Sequence, residues 1–259
     1  MHAAICLSGN FRDYKRTLKT LFNIIKQFDK CDIFMIYDVE EKKEDIERIK
    51  KLLKPVAFKA VKSIEDCNNM NMWYKIQESY KICKDYYTKK NIKYDIIIRA
   101  RYDIIFYNKF DFKNLKIQEN TLYIGSAKNK LFYYFQKVAF FINKFLLDEF
   151  FFGSPKVMEN HMNFFNSISI SKNKCLKYRL SEIDFYIYSN LLMTKIVPLP
   201  IFYETFMWKD DFFGYTFNKY KKYPSWGLSF VLNRFTILLL ITLILLFLYV
   251  NKHNFKFLK

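Results

Sequence analysis

The sequence predicts an α/β fold: a mainly parallel sheet flanked by helices, followed by a C-terminal transmembrane helix. Three observations carry this. Apolar strand-like runs alternate with amphipathic helical stretches over the first half of the chain. Polar clusters follow several of those runs, where strands of a parallel sheet would end together and build a site. Residues 235–250, FTILLLITLILLFLYV, form an unbroken apolar or near-apolar segment.

The elements follow in order. AAICLSG is a short apolar run ending at Gly9, a strand and then a turn. A helix follows with Tyr14, Leu18, Leu21, Ile25 and Phe28 on one face. CDIFMIYDV is a second strand, with Asp38 at its end. Residues 41–53 read as a charged helix that turns Ile46, Ile49 and Leu52 inward and is closed by Pro55. VAFKAV is a third strand. The stretch from Met70 to Tyr87 aligns Trp73, Ile76, Tyr80, Cys83 and Tyr87 in one stripe. YDIII and TLYIGS are further strands.

Beyond residue 127 the pattern is less regular. Lys130, Lys137 and Lys144 recur every seven residues within an aromatic-rich stretch. That spacing fits a core helix with a solvated lysine edge, or a helix over 131–147 lying on a membrane. Ser154 and Pro155 form an N-cap and first helical position. Ser181 and Asp184 have capping-box spacing. KIVPLPIF, with two prolines, is expected at a sheet edge.

Composition narrows the function. Over 259 residues, 51 % are apolar and 20 % aromatic, which excludes a disordered chain. The formal charge of +18 fits solubility, or attraction to a nucleic acid, an anionic lipid surface or a phosphorylated substrate. The lysines are scattered, without a basic stripe or recognised nucleic-acid module, so no nucleic-acid partner is expected. The five cysteines are odd in number and contain no C-x-x-C, which argues against a disulfide framework or zinc site. Cys6 and Cys31 read as small core residues. His2, His161 and His253 lack metal-ligand spacing, and no Walker loop, G-x-S-x-G or G-x-G-x-x-G is present.

The N-terminus lacks the order of a secretory leader. Spanning a bilayer takes about 20 helical residues. The apolar run extended back to Leu228 reaches that length, with Arg234 able to snorkel. The expected organisation is a domain over 1–204, a juxtamembrane segment over 205–227, an anchor over 228–250 and a basic tail over 251–259. The body is then expected on the cytosolic side of a single-pass C-terminal anchor.

IIIRARYDIIF, residues 96–106, carries the central chemical signal. An apolar strand ends by placing Arg99, Arg101 and Asp103 on alternate positions, hence on one face. Such charges form an internal Arg–Asp ion pair, or they bind a diphosphate. In the second case arginine forks match phosphate oxygens, and an aspartate holds a divalent cation with oxygen ligands. Ser8, Gly9 and Arg12 form either an ordinary strand–helix turn or a loop allowing close approach of an anion. Trp73 lies on the apolar stripe of its helix, whereas Lys75 lies off it and could reach a phosphate. Asp148 and Glu149 sit inside an aromatic segment, as solvated charges or as a base with raised pKa. Glu182 follows Ser181 at a helix start, where capping alone would account for it.

S-G-x-x-R after the first strand, W-x-K, KYDIIIRARYD and DEFFFGSPKVME together resemble a group of glycosyltransferase-like proteins of large DNA viruses and bacterial polysaccharide clusters. The resemblance covers roughly residues 1–200 and implies a GT-A-like fold. It implies that R-x-R-x-D stands in place of D-x-D, with Arg99 and Arg101 on the nucleotide-sugar diphosphate and Asp103 on Mn²⁺ or Mg²⁺. It further implies that the Ser8–Gly9–Arg12 loop touches the nucleotide, and that Trp73 and Lys75 border the donor pocket. Asp148 first, and Glu149 second, would lie on the acceptor side, and Glu182 matches a recurring acidic position. Arginine where the first aspartate of D-x-D would stand bears on metal dependence. The implied activity is transfer of a hexose-type sugar from a nucleoside-diphosphate sugar to a glycan or lipid-linked acceptor at a membrane. The alternative is a non-catalytic membrane-associated binding protein on the same scaffold.

Overall fold

The computed structural model describes residues 1–12, 14–64, 68–107, 110–127, 149–169, 185 and 188–205. Eight strands are β1 (His2–Leu7), β2 (Lys30–Asp38), β3 (Ala57–Val61), β4 (Ile96–Ala100), β5 (Ile104–Phe106), β6 (Thr121–Ala127), β7 (Phe151–Gly153) and β8 (Lys195–Thr205). The helices among the described residues are α1 (Tyr14–Ile25), α2 (Lys43–Leu53), α3 (Asn68–Lys90), α4 (Pro155–Met162) and α5 (Phe164–Ser169). One sheet holds all eight strands in the order β3-β2-β1-β4-β7-β6-β8-β5.

The sheet is mixed, with parallel pairing in the majority: among the described residues four of the seven strand pairings are parallel, β6 with β8 among them. β3, β2, β1 and β4 run parallel, with Leu7 opposite both Met35 and Ala100. β7 is antiparallel to β4 and to β6, and β5 is antiparallel to β8. β5 and β7 are three residues long, too short for alternation to mark them in the sequence.

Side-chain alternation divides the core between the two faces. Ala3, Ile5, Leu7, Ile33, Met35, Ile96, Ile98 and Ala100 pack with α1 and α2. Ala4, Cys6, Phe34 and Ile97 pack with α3, α4 and Phe164. The α3 stripe forms as the periodicity predicts, with Trp73, Ile76, Tyr80 and Cys83 buried. In α2 the third inward residue is Leu53, and Leu52 is exposed instead. The 46–49–53 spacing keeps one helical stripe, whereas residue 52 rotates out of it. Cys6 is buried and Cys31 partly so, where burial pushes its thiol up to about 12.

KIVPLPIF does not form a simple edge. β8 lies between β6 and β5, but β5 pairs only with 203–205. Pro198 and Pro200 precede the 203–205 stretch that pairs with β5, at a register irregularity opposite 124–126. Among the described residues no helix is long and apolar enough to cross a membrane. The 228–250 anchor, the helix over 131–147 and the Ser181 helix start fall outside the described residues.

The Ser154–Pro155 helix start forms as the sequence predicts. Ser154 caps α4 by accepting from the Val157 amide, and its hydroxyl donates to the Glu119 carbonyl. A Cβ at Gly153 would lie 2.9 Å from the Thr121 carbonyl oxygen and 3.3 Å from Val157. Gly153→Ala is therefore expected to destabilise the protein by about 1–3 kcal/mol through overpacking against strand backbone. A calorimetric melt of the variant checks this, and an unchanged Tm would contradict it.

His161 on α4 is fully buried. Its Nδ1 lies 2.8 Å from the Val157 carbonyl, which can only accept, and its Nε2 lies 3.1 Å from the Ser189 hydroxyl. Burial lowers its pKa to about 4, against the raising effect of the Val157 hydrogen bond. The unfolded chain takes up this proton near pH 6.5 and the folded chain only near pH 4. Stability is thus untouched above pH 6.5 and falls by about 1.4 kcal/mol per unit between these values. Melts of wild type and His161→Gln across pH 4–7 should converge towards acid; parallel curves would exclude this role.

Candidate functional site at the carboxyl ends of the parallel strands

Parallel register brings the ends of β1, β2 and β4 to one edge of the sheet. The Ser8 amide donates to the Ala100 carbonyl at 3.3 Å. Gly9 follows with φ +126, a conformation that disfavours any side chain. A Cβ there would stand 3.7 Å from Cβ and Cγ of Arg101 and 3.9 Å from its Nε. The S-G-x-x-R loop and R-x-R-x-D are therefore in contact.

Tyr102, wholly buried, ties these ends together. Its hydroxyl donates to the Ile36 carbonyl at 3.0 Å and reaches the Leu7 carbonyl at 3.4 Å. Its own carbonyl accepts from the Thr17 hydroxyl of α1. Phe11 packs edge-on against its ring at 4.8 Å, and the Phe11 amide donates to Glu41 Oε1 at 3.2 Å. Burial pushes the Tyr102 phenol well above its ordinary range, so it remains protonated. Sequence reading leaves Tyr102 as a spacer and passes over Glu41; alternation places Tyr102 on the opposite face from the arginines, but nothing local identifies its carbonyl partners.

Arg101 and Asp103 form a two-bond fork. Nε donates to Oδ1 and Nη2 to Oδ2, both at 2.7 Å. Asp103 has no exposed surface, whereas 12 % of the Arg101 side chain is accessible. The internal ion pair, one of the two sequence-level accounts of this motif, is thus present. It stands against the first loop, at the common strand edge.

Arg99 lies deeper. It is 1 % exposed, and its Nη1 donates to the Glu149 carbonyl at 3.3 Å. Its guanidinium is accordingly not in position to grip a ligand directly, contrary to the expectation for a diphosphate contact. It holds the segment entering β7 and contributes a positive charge from beneath. Trp73 is likewise core: its ring packs on Phe164 at 4.7 Å and Phe185 at 4.6 Å, with no exposed surface. The expected donor contact at Trp73 is replaced by this packing.

Lys75 reaches the strand edge. Its Nζ donates to Asp38 Oδ2 at 2.6 Å, and the Ser63 hydroxyl donates to the same oxygen at 3.1 Å. Burial acts to raise the Asp38 pKa, but the Lys75 bond, the Glu40 amide and Ser63 outweigh it and leave the carboxyl below its ordinary range. Arg12 is exposed, in the turn before α1 rather than inside the helix. Ser8 is buried, Glu149 is partly buried, and Asp148 and Glu182 lie outside the described residues.

A divalent cation does not fit at Asp103, the residue expected to hold it. Both Asp103 oxygens already accept from a guanidinium. Unit charges 4 Å apart near a surface repel by about 4 kcal/mol, and a dication roughly doubles this. Among the described residues no group of three His, Cys, Asp or Glu is arranged to hold a metal.

Lys75→Met is expected to raise the Asp38 pKa, because a leading hydrogen bond that opposes burial is lost. Carboxyl carbon NMR titration reads this directly; an unmoved Asp38 would show that Ser63 and the Glu40 amide hold it alone.

No protein-family model matches the chain. No curated protein matches it either. Similar solved structures include a glycosyltransferase involved in the glycosylation of the major capsid of PBCV-1. That pair shares 6 % identity over 77 % of this chain and 82 % of the other, with a TM-score of 0.42. The galactosyltransferase LgtC, solved with donor and acceptor sugar analogues, shares 7 % over 76 % of this chain and 72 % of its own, TM-score 0.43. The nucleoside-diphosphate-sugar pyrophosphorylase from Vibrio cholerae RC9 shares 8 % over 77 % and 92 %, TM-score 0.43.

Proposed function

We propose that the chain is a GT-A-like glycosyltransferase that takes its sugar from a nucleoside-diphosphate sugar. The contact between Gly9 and Arg101 carries the reading, because it joins the two loops at the edge where parallel sheets bind ligands. Ser8 and Gly9 would meet the nucleotide by their backbone. Arg101 and Lys75 would face its phosphates, with Arg99 adding charge from below. Arg12, exposed beside this loop, would add a further cation.

In the transfer, the bond from the anomeric carbon to the β-phosphate oxygen breaks and its electron pair stays on that oxygen. The acceptor oxygen bonds to the anomeric carbon and its proton passes to a carboxylate. Asp148 is the proposed base, with Glu149 and then Glu182 behind it. The acceptor is proposed to be a glycan or a lipid-linked sugar, and the donor sugar a hexose. The apolar run over 235–250 supports a membrane setting.

A hydrolysis screen of UDP- and GDP-sugars with the full chain tests the reading, since transferases release donor sugar slowly to water. Turnover of one donor is expected, and Asp148→Asn should lower it by about 10²–10⁴-fold. A second reading is favoured by the neutralised Arg101–Asp103 pair: a binding protein without turnover. It predicts nucleotide binding with no hydrolysis of any donor, unaffected by Asp148→Asn.

A further inference from the structure

We infer that donor binding at this site needs no divalent cation, because the Arg101 guanidinium, held in place by Asp103, occupies the cation's role. The inference rests on the transferase reading above and specifies how that site grips its diphosphate. A metal-dependent site of this type would present carboxylate oxygens to the ion. Here the only carboxylate of R-x-R-x-D has no exposed surface and offers its two oxygens to Nε and Nη2 at 2.7 Å each. Asp103 therefore serves as the anchor of a cation rather than as a ligand of one.

The pieces around it agree. Arg101 is the partly accessible member of the pair, so the charge reaching the surface is positive. Its stem lies against Gly9, whose position has no side chain to shield it. Arg99 adds a second positive charge on the same strand face, 1 % exposed and hence weakly screened. Among the described residues no group of three or more His, Cys, Asp or Glu stands ready to hold an ion in its place.

Chemically, a guanidinium can do what the ion would do for the leaving group. It is planar, permanently protonated and able to donate two parallel hydrogen bonds to phosphate oxygens. The fork with Asp103 fixes its orientation in advance, so less side-chain freedom is lost when the phosphate arrives. Lysine would keep the charge but not the two-point geometry.

Isothermal titration of the full chain with UDP and with GDP, each in EDTA and in Mn²⁺, tests this. One nucleotide is expected to bind with a Kd that agrees within twofold between the two buffers. Binding that weakens tenfold or more in EDTA overturns the inference and leaves the transferase reading standing. Heat from neither nucleotide in either buffer overturns both. Manganese EPR on the nucleotide-bound protein should show the ion remaining free; an immobilised ion overturns the inference. Arg101→Lys should weaken binding in EDTA at least tenfold while circular dichroism shows a folded chain; wild-type affinity in that variant overturns it. If Arg101→Lys fails to fold, the buffer comparison on the wild type still decides.

Discussion

Desolvating the Asp103 carboxylate obliges the fold to keep a cation beside it. A carboxylate with no exposed surface is tolerated only when paired and hydrogen-bonded, and the Arg101 fork meets both conditions. The fork spans only residues 101–103, so its geometry depends on a tight turn directly after β4. That turn is fixed by the residue between them. Tyr102 points to the opposite side and donates its hydroxyl to the Ile36 carbonyl beyond β1. Charge pairing above the sheet and a buried phenol below it thus hold the same three residues from two directions.

This arrangement makes the strand edge a rigid part of the molecule. Ser8 is joined to Ala100 by a backbone bond, and Phe11 is wedged between the Tyr102 ring and Glu41. The first loop therefore cannot shift without disturbing the packing of Tyr102. Gly9 is the residue that permits the approach, since its φ of +126 is closed to ordinary side chains. Rigid elements hold functional groups more closely than free loops do, which suits the proposed diphosphate site.

The first half of the fold was legible because its periodicities are unambiguous. β1, β2 and the α3 stripe follow from simple apolar spacing, α1 follows it to Leu21 but buries Ile24 in place of Ile25 and ends before Phe28, and Ser154 with Pro155 announces α4 correctly. The mixed character of the sheet was not legible. It depends on β5 and β7, whose three residues each carry no pattern, and on pairings between segments distant in sequence. Alternation placed Arg99 and Arg101 on one face but could not give their depth. Depth is set by neighbouring strands: Arg99 stands between β1 and β7 and is covered, while Arg101 lies beyond the last paired residue. The same limit applies to Trp73, whose burial is decided by Phe164 and Phe185 far along the chain.

Two acids at this edge are neutralised by the same device. Asp103 holds Arg101 and Asp38 holds Lys75, each base coming from within a few ångströms and each acid more buried than an ordinary surface carboxylate. An arriving anion consequently meets cations that already have partners. Its binding is an exchange of one negative partner for a shared one, so the gain is smaller than bare attraction would suggest. What the exchange preserves is position: the cations need not be ordered by the ligand, and the entropy that would cost is already spent in folding. Long-range attraction comes instead from the chain as a whole, whose formal charge of +18 draws anions in at a rate that salt will reduce. Attraction and grip are in this way assigned to different residues: the charge of the whole chain draws an anion in, and the paired Arg101 and Lys75 would position it.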